Sequence, residues 1–248
     1  MNPRILTAVP VYNEVAHVFG VIAELRRHVE DILVVDDGSC DGTSDVLADI
    51  SDISIERHEP NQGYGAALRT AFQFAVEHEF DVLVTMDCDG QHQPHFVQQI
   101  AELISDPLQS TDMVSGSRYL SRFADHNSAP EDRRQINRRI TACLNEKLGL
   151  QLTDAFCGFK AYRVAALRDL QISVNGYAMP LQLWVQAAAL NWRITEFAVP
   201  RIYLPEERSF GGSLDDPEAR LAYYLSVLNE ELERQGMPQR FQANCGQH

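Results

Sequence analysis

Short apolar runs alternate with segments of helical period through the first half of the chain, and this alternation constrains the fold more than any other feature. Arg4–Val9, Ile32–Val35, Ile53–Arg57, Val82–Met86 and Met113–Gly116 have the length of strands. Between them, Glu14–Val29, Gly42–Ile50, Gly63–His78 and Pro94–Ser105 repeat apolar residues every three or four positions, and Pro94 suits a helix start. Strands each followed by a helix predict crossover connections, and hence an α/β fold whose mainly parallel sheet is covered on both faces.

The second half is less regular. Glu131–Leu148, Met179–Leu190 and Pro217–Arg234 read as helices, Phe159–Arg163 and Trp192–Val199 as strands, and Tyr203–Pro217 as a loop. The 248 residues suit a single domain, 1–235, with a regular half at 1–115, a less regular half at 116–235 and a flexible tail at 236–248. No stretch approaches 18 apolar residues, so no membrane span is expected. The five cysteines are odd in number and widely spaced, which argues against a disulfide framework or a zinc site and for a reducing, cytoplasmic compartment.

The net charge of −14 disfavours nucleic acid as a partner. That acidity is uneven. Between Gly116 and Arg163 nine Arg and Lys stand against five Asp and Glu, a basic island suited to a specific anionic ligand.

In open α/β sheets ligands bind at the carboxyl ends of the parallel strands. Three polar clusters fall at such ends: Pro10-Val11-Tyr12-Asn13-Glu14, Asp36-Asp37-Gly38-Ser39-Cys40-Asp41-Gly42-Thr43, and Asp87-Cys88-Asp89-Gly90-Gln91-His92. Helix capping or turn chemistry explains any one of them, with Asn13 or Asp41-Gly42-Thr43 as a cap, but accounts poorly for all three together. Asp87 and Asp89, two positions apart after a strand, can converge on a hard divalent cation, Mg²⁺ or Mn²⁺, with Gln91 adding a neutral oxygen. Such an ion bridges to a diphosphate and offsets its charge as it leaves.

These motifs, with Asn61-Gln62-Gly63-Tyr64-Gly65, Gly116-Ser117-Arg118 and Asp154-Ala155-Phe156-Cys157-Gly158-Phe159, stand in the order and spacing of family 2 glycosyltransferases of the GT-A fold. The chain resembles in particular the dolichyl-phosphate mannose and glucose synthases, from about Ile5 to Ser213. The resemblance implies a nucleoside-diphosphate sugar as donor, of the GDP-mannose or UDP-glucose type, with 1–115 as the nucleotide-sugar-binding half and 116–235 as the acceptor-binding half. It implies a nucleotide pocket lined by Pro10, Tyr12 and Glu14, with Asp36 or Asp37 on the base or ribose. Gly63 and Gly65 would let the backbone approach the nucleotide, and Asp87 would lie by ribose and diphosphate. Asp89 and Gln91 would hold the metal, and Asp154 would lie near sugar and acceptor. Arg208 and Ser213 match a loop that closes over the donor phosphates. A polyprenyl phosphate acceptor would be bound by Arg118, Arg134, Asn137 and Lys160, although Lys160 reads equally as a solvated strand end.

Two departures stand out. Asn137 occupies the place of a common serine, and Gln182 that of a common glutamate. An ionised phosphate acceptor needs little help from a base, so the loss of a carboxylate at 182 is tolerable. The resulting expectation is an inverting, metal-dependent hexosyltransferase acting on a polyprenyl phosphate, peripheral at the cytoplasmic face of a membrane. Transfer to a soluble or saccharide hydroxyl is the alternative within enzymes, and a non-catalytic nucleotide-sugar-binding protein the alternative outside them. A nucleotidyltransferase would show a Gly-rich, basic loop where this chain has Pro10–Glu14.

Overall fold

The computed structural model describes residues 3–123, 130–202, 212–237 and 241. Seven strands form one sheet: β1 (Ile5–Val11), β2 (Asp31–Asp36), β3 (Ser54–Arg57), β4 (Val82–Thr85), β5 (Met113–Ser117), β6 (Lys160–Arg163) and β7 (Ile194–Ala198), in the order β3-β2-β1-β4-β6-β5-β7. All run parallel except β6, which pairs antiparallel with both β4 and β5. The five strands expected in the first half are present. What the apolar runs could not reveal is that β6 separates β4 from β5, so the two halves of the chain share one sheet.

Helices cover both faces. α1 (Val18–Leu25), α2 (Thr43–Ala48) and α4 (Phe96–Ser105) bury Ile22, Leu47 and Ile100 against Val9, Val34 and Val84. On the other face α3 (Tyr64–Glu77), α5 (Glu131–Leu148), the single turn α6 (Val164–Leu167), α7 (Met179–Ala189) and α8 (Pro217–Arg234) pack on Leu6, Leu33 and Leu83. The alternation along β1 and β2, with Leu6 and Leu33 one way and Val9 and Val34 the other, is the period of two that a doubly covered strand imposes.

The helix ends follow sequence chemistry. α5 opens with Glu131 and Asp132 in its first turn and closes on Gly149 in the left-handed region, with Lys147 in the last turn. Asp216 caps α8 by accepting from the Ala219 N–H at 2.7 Å, with Pro217 as first helical residue. α1 is shorter than its apolar pattern suggests, because Asn13 at φ 54 and the turn after it occupy the expected first residues. Within the segment 236–248 expected as a tail, Phe241 is buried, its N–H donating to Asn229 Oδ1 at 2.7 Å and its carbonyl accepting from Asn229 Nδ2 at 2.9 Å.

Behind α3, the segment Ser173–Tyr177 is held from two sides. The Asn175 carbonyl accepts from the N–H of Gly65 at 2.6 Å and of Ala66 at 3.2 Å. Gln182 Oε1 accepts from the N–H of Ser173 and Val174, both at 2.9 Å, and its Nε2 donates to the buried Glu231 at 2.7 Å. Glu231 also accepts from Gln186 at 2.8 Å, so a neutral amide at 182 is what this carboxylate requires. Gln182→Glu should set two buried carboxylates against each other and cost about 3 kcal/mol near neutral pH. A proton shared by the pair would raise one pKa, so the deficit should shrink as pH falls from 8 to 5. Adding Glu231→Gln should recover most of it, as read from urea denaturation at each pH.

Candidate functional site

A cavity of about 490 Å³ opens along the carboxyl ends of β1, β2, β4 and β5. The first two polar clusters build its wall by binding each other. Ser39 Oγ accepts from the Asn13 N–H at 3.0 Å, Asn13 Oδ1 from the Cys40 N–H at 2.9 Å, Thr43 Oγ1 from the Glu14 N–H at 2.9 Å and Asp41 from the Val15 N–H at 3.1 Å. With those four groups committed to loop structure, Pro10, Tyr12 and Glu14 are left on the cavity.

Asp36 and Asp37 divide. Asp36 is buried and is not among the cavity-lining residues. It accepts from the Ser39 N–H at 2.9 Å and the Ser44 hydroxyl at 2.5 Å. Burial opposes its charge, yet these bonds hold its pKa below the usual carboxylate value. The expected ligand contact therefore falls to Asp37, which lines the cavity. Asp37 also fixes the next loop, accepting from the N–H of Gln62 at 2.9 Å and of Gly63 at 2.7 Å, and bonding His58 Nδ1 at 2.6 Å.

The glycines serve a different neighbour from the one expected. A Cβ on Gly63 would stand 2.5 Å from the Asn175 carbonyl oxygen, and one on Gly65 would collide with the Val174 carbonyl and Met179. Both keep α3 against the Ser173–Tyr177 segment. Gly63 lines the cavity and Gly65 does not. Since the Asn175 carbonyl takes the first free amides of α3, this helix start is not an open anion site of the dinucleotide-fold kind.

Asp87, Asp89 and Gln91 all line the cavity. The Tyr64 hydroxyl donates to Asp87 Oδ1 at 3.0 Å, and the Asp87 carboxylate fills the space that a Cβ on Gly158 would need. Asp89 Oδ1 accepts from the Gln91 N–H at 3.0 Å, which closes the turn between two residues of the cavity lining. Two carboxylates and an amide oxygen are a hard donor set suited to Mg²⁺ or Mn²⁺. No group of three or more His, Cys, Asp or Glu that could hold a metal occurs among the described residues. A cation here would complete its shell from water and a bound diphosphate, as magnesium commonly does.

The other end of the cavity is basic. Arg118 follows β5, Arg133 lies on α5 and Arg220 on α8, and all three reach the cavity. Asp154, expected near the reacting groups, is fully buried and off the cavity wall. It grips Arg118 through two parallel bonds, Nε–Oδ2 at 2.7 Å and Nη2–Oδ1 at 2.9 Å, and accepts from Asn137 Nδ2 at 2.8 Å. Arg118 and Asn137 then face the cavity, so Asp154 positions groups that can touch a ligand. Burial works against its charge, but the Arg118 guanidinium and these bonds bring its pKa down to about 2. Lys160 is neither on the cavity nor solvated. Its ammonium donates to the Cys157 carbonyl and lies 5.6 Å from the Trp184 ring centroid, and burial lowers its pKa.

Arg134 points away from the cavity, half-exposed and paired with Glu131 at 2.6 Å, and its neighbour Arg133 takes the expected place. The spacing Arg133, Ile136, Asn137, Ile140 is one helical face, a signal present in the sequence. Arg220 was also not anticipated. It interrupts the apolar stripe Tyr224, Leu228, Leu232, is buried, and donates to Asp132 at 2.6 Å and to the Leu214 carbonyl at 2.8 Å. Tyr64 and Tyr177 stack in the cavity wall with centroids 5.8 Å apart. Ser213 sits in an exposed 3-10 turn, Gly212–Asp215, off the cavity, and Arg208 lies outside the described residues. Gln182 is buried behind the cavity and does not line it.

Comparison with known proteins places these features in a family. The family model described as "Glycosyl transferase family 2" matches residues 7–171. An undecaprenyl-phosphate mannosyltransferase of Micrococcus luteus is 33% identical over 219 residues, covering 85% of this chain and 86% of that protein. A polyprenol monophosphomannose synthase of Mycolicibacterium smegmatis is 28% identical, covering 79% of this chain and 76% of that one. The crystal structure of glucosyl-3-phosphoglycerate synthase from Mycobacterium tuberculosis in complex with UDP superposes with a TM-score of 0.70 at 22% identity, over 96% of this chain and 82% of that one.

The depressed pKa of Asp154 has a sign. A carboxylate held at about 2 against an ordinary 3.8 contributes stability above the ordinary value and loses it as pH falls toward 2, in all about 2 kcal/mol. Unfolding free energy measured in urea should therefore drop between pH 4 and pH 2. Asp154→Asn should be less stable than the wild type by about 3 kcal/mol at pH 7, because Arg118 loses its partner, and the gap should narrow toward pH 2.

Proposed function

The chain is a member of glycosyl transferase family 2, and from that premise we propose that it moves a hexose from a nucleoside-diphosphate sugar to a polyprenyl phosphate with inversion at the anomeric carbon. One observation carries the choice of acceptor: the cavity is electrically divided. Glu14, Asp37, Asp87 and Asp89 stand beside β1, β2 and β4, while Arg118 follows β5 and Arg133 and Arg220 lie on α5 and α8. The acidic end suits a cation and a hydroxyl-rich nucleotide. The basic end suits an acceptor that is itself an anion. The relatives from Micrococcus luteus and Mycolicibacterium smegmatis carry polyprenyl phosphate chemistry in their names, which agrees with this assignment.

Pro10, Tyr12, Glu14 and Asp37 bind the nucleoside in this reading, and Asp87, Asp89 and Gln91 hold Mg²⁺ or Mn²⁺. The ion, when bound, offsets the charge of the departing diphosphate. Arg118, held flat by Asp154, and Arg133 orient the acceptor phosphate. One of its oxygens attacks the anomeric carbon from the face opposite the diphosphate, the new C–O bond forming as the bond to the leaving diphosphate breaks. No proton has to be removed from an ionised phosphate, so no general base is needed. No described helix is long and apolar enough to cross a membrane. A lipid acceptor would be met by peripheral contact with the bilayer surface.

The test is release of nucleoside diphosphate from GDP-mannose, UDP-glucose and UDP-N-acetylglucosamine, with Mn²⁺ and a short polyprenyl phosphate. Acceptor-dependent release from one donor is expected, falling at least about a hundredfold in Asp89→Ala. Release onto a water-soluble hydroxyl acceptor, and none onto prenyl phosphate, would overturn the assignment. In the same assay Arg133→Gln should raise the acceptor KM about tenfold or more. Arg134→Gln, which removes only an exposed pair, should change it by less than about twofold.

A further inference from the structure

Beside its arginines the cavity wall is apolar in a regular way. On α5, Ile136 follows Arg133 by three residues, and on α8, Tyr224 follows Arg220 by four, and all four line the cavity. Those spacings put each apolar side chain one helical turn from a guanidinium on the same helix face. The Arg220–Asp132 pair at 2.6 Å ties the two helices together at the charged level. At the next level Phe156 packs on Tyr224 with centroids 5.2 Å apart, and Pro180 and Ala67 extend the surface.

A wall that is cationic for one turn and apolar for the next matches an amphiphile with an anionic head joined directly to hydrocarbon. A hexose or a phosphorylated hydroxy acid would instead press hydroxyls against the Ile136 and Phe156 side chains, which offer no hydrogen bond, and that costs free energy. We propose that this apolar wall holds the first isoprene unit of the acceptor, so that the site reads the hydrocarbon next to the phosphate as well as the phosphate. The proposal rests on the assignment of a prenyl phosphate acceptor and adds where its lipid is recognised. Ile136, Phe156, Tyr224, Pro180 and Ala67 make a patch of the size of one isoprene unit rather than of a whole lipid chain. Affinity should accordingly rise over the first five carbons and then level off.

The test is a binding titration of the purified protein, by calorimetry, with Mg²⁺ and whichever of UDP or GDP it binds already present. The probes are inorganic phosphate, methyl phosphate, dimethylallyl phosphate and geranyl phosphate, all used below their aggregation limits. Dimethylallyl phosphate should bind roughly ten- to a hundredfold more tightly than methyl phosphate, from the burial of a few carbons. Geranyl phosphate should add less than about threefold, since its second unit lies outside the wall. In Ile136→Asn and in Phe156→Ala the five-carbon gain should fall by about tenfold while methyl phosphate still binds. Equal affinity for methyl and dimethylallyl phosphate would overturn the proposal and leave the anionic acceptor standing. Failure of every phosphate to bind would overturn both. A gain that survives in both variants would place the hydrocarbon elsewhere and overturn the proposal alone.

Discussion

The bond on which the rest of this site depends is the one between Asp154 and Arg118. Asp154 comes from the loop before β6, Arg118 from the end of β5 and Asn137 from α5, and one fully buried carboxylate joins them. The same loop is tied to β7 through Thr153, whose N–H and hydroxyl both donate to Glu196 at 2.8 Å. An unpaired charge in that position would be intolerable, so the guanidinium is held in one orientation whenever the chain is folded. Rigidity of this kind is what places a cation at a cavity wall without a loop having to find it.

The sheet's order explains why the charges separate. The strands carrying Pro10–Glu14, Asp37 and Asp87–Gln91 are neighbours, β2-β1-β4, so their carboxyl ends make one acidic shelf. β6 runs the other way beside β4 and presents its amino end at this edge. That end delivers Gly158, whose missing side chain accommodates the Asp87 carboxylate, and behind it the buried Lys160. Beyond β6, the end of β5 is where Arg118 begins the basic wall. A single antiparallel strand thus marks the border between the two halves of the cavity.

Much of this was legible in the sequence. The alternation of strand and helix and the three polar clusters at strand ends follow from periodicity and residue chemistry, and all three clusters contribute residues to the same cavity. The direction of β6 was not legible, because an apolar run carries no arrow. Which of two adjacent residues faces the ligand was not legible either where the local pattern is symmetric. Asp36 ends β2 and Asp37 follows it, and the bonds that Ser39 and Ser44 donate to Asp36 from the adjoining loop and helix decide between them. Arg133 and Arg134 differ, since a helical face through Ile136 and Ile140 selects Arg133. At Gly63 and Gly65 a need for close approach looks the same in sequence whether the neighbour is a nucleotide or the backbone at Val174 and Asn175, which lies against both.

Gln182 shows how a departure from a family pattern can be settled by packing. Its amide supplies two different things at once: an acceptor for the Ser173 and Val174 amides, and a donor for Glu231. An ionised glutamate could do the first and not the second. The pair Gln182 and Glu231 is therefore a matched unit, and a glutamate at 182 would be tolerated only with a different partner on α8. Because the unit sits behind the cavity, its effect on the site is mechanical. It holds Ser173–Val174, which carry Asn175 to the start of α3 and lead into Gly176 and Tyr177 at the cavity wall. In the proposed reaction the chemistry in front of that segment is left to charge: an acceptor already ionised, guanidiniums to orient it, and a leaving diphosphate opposite.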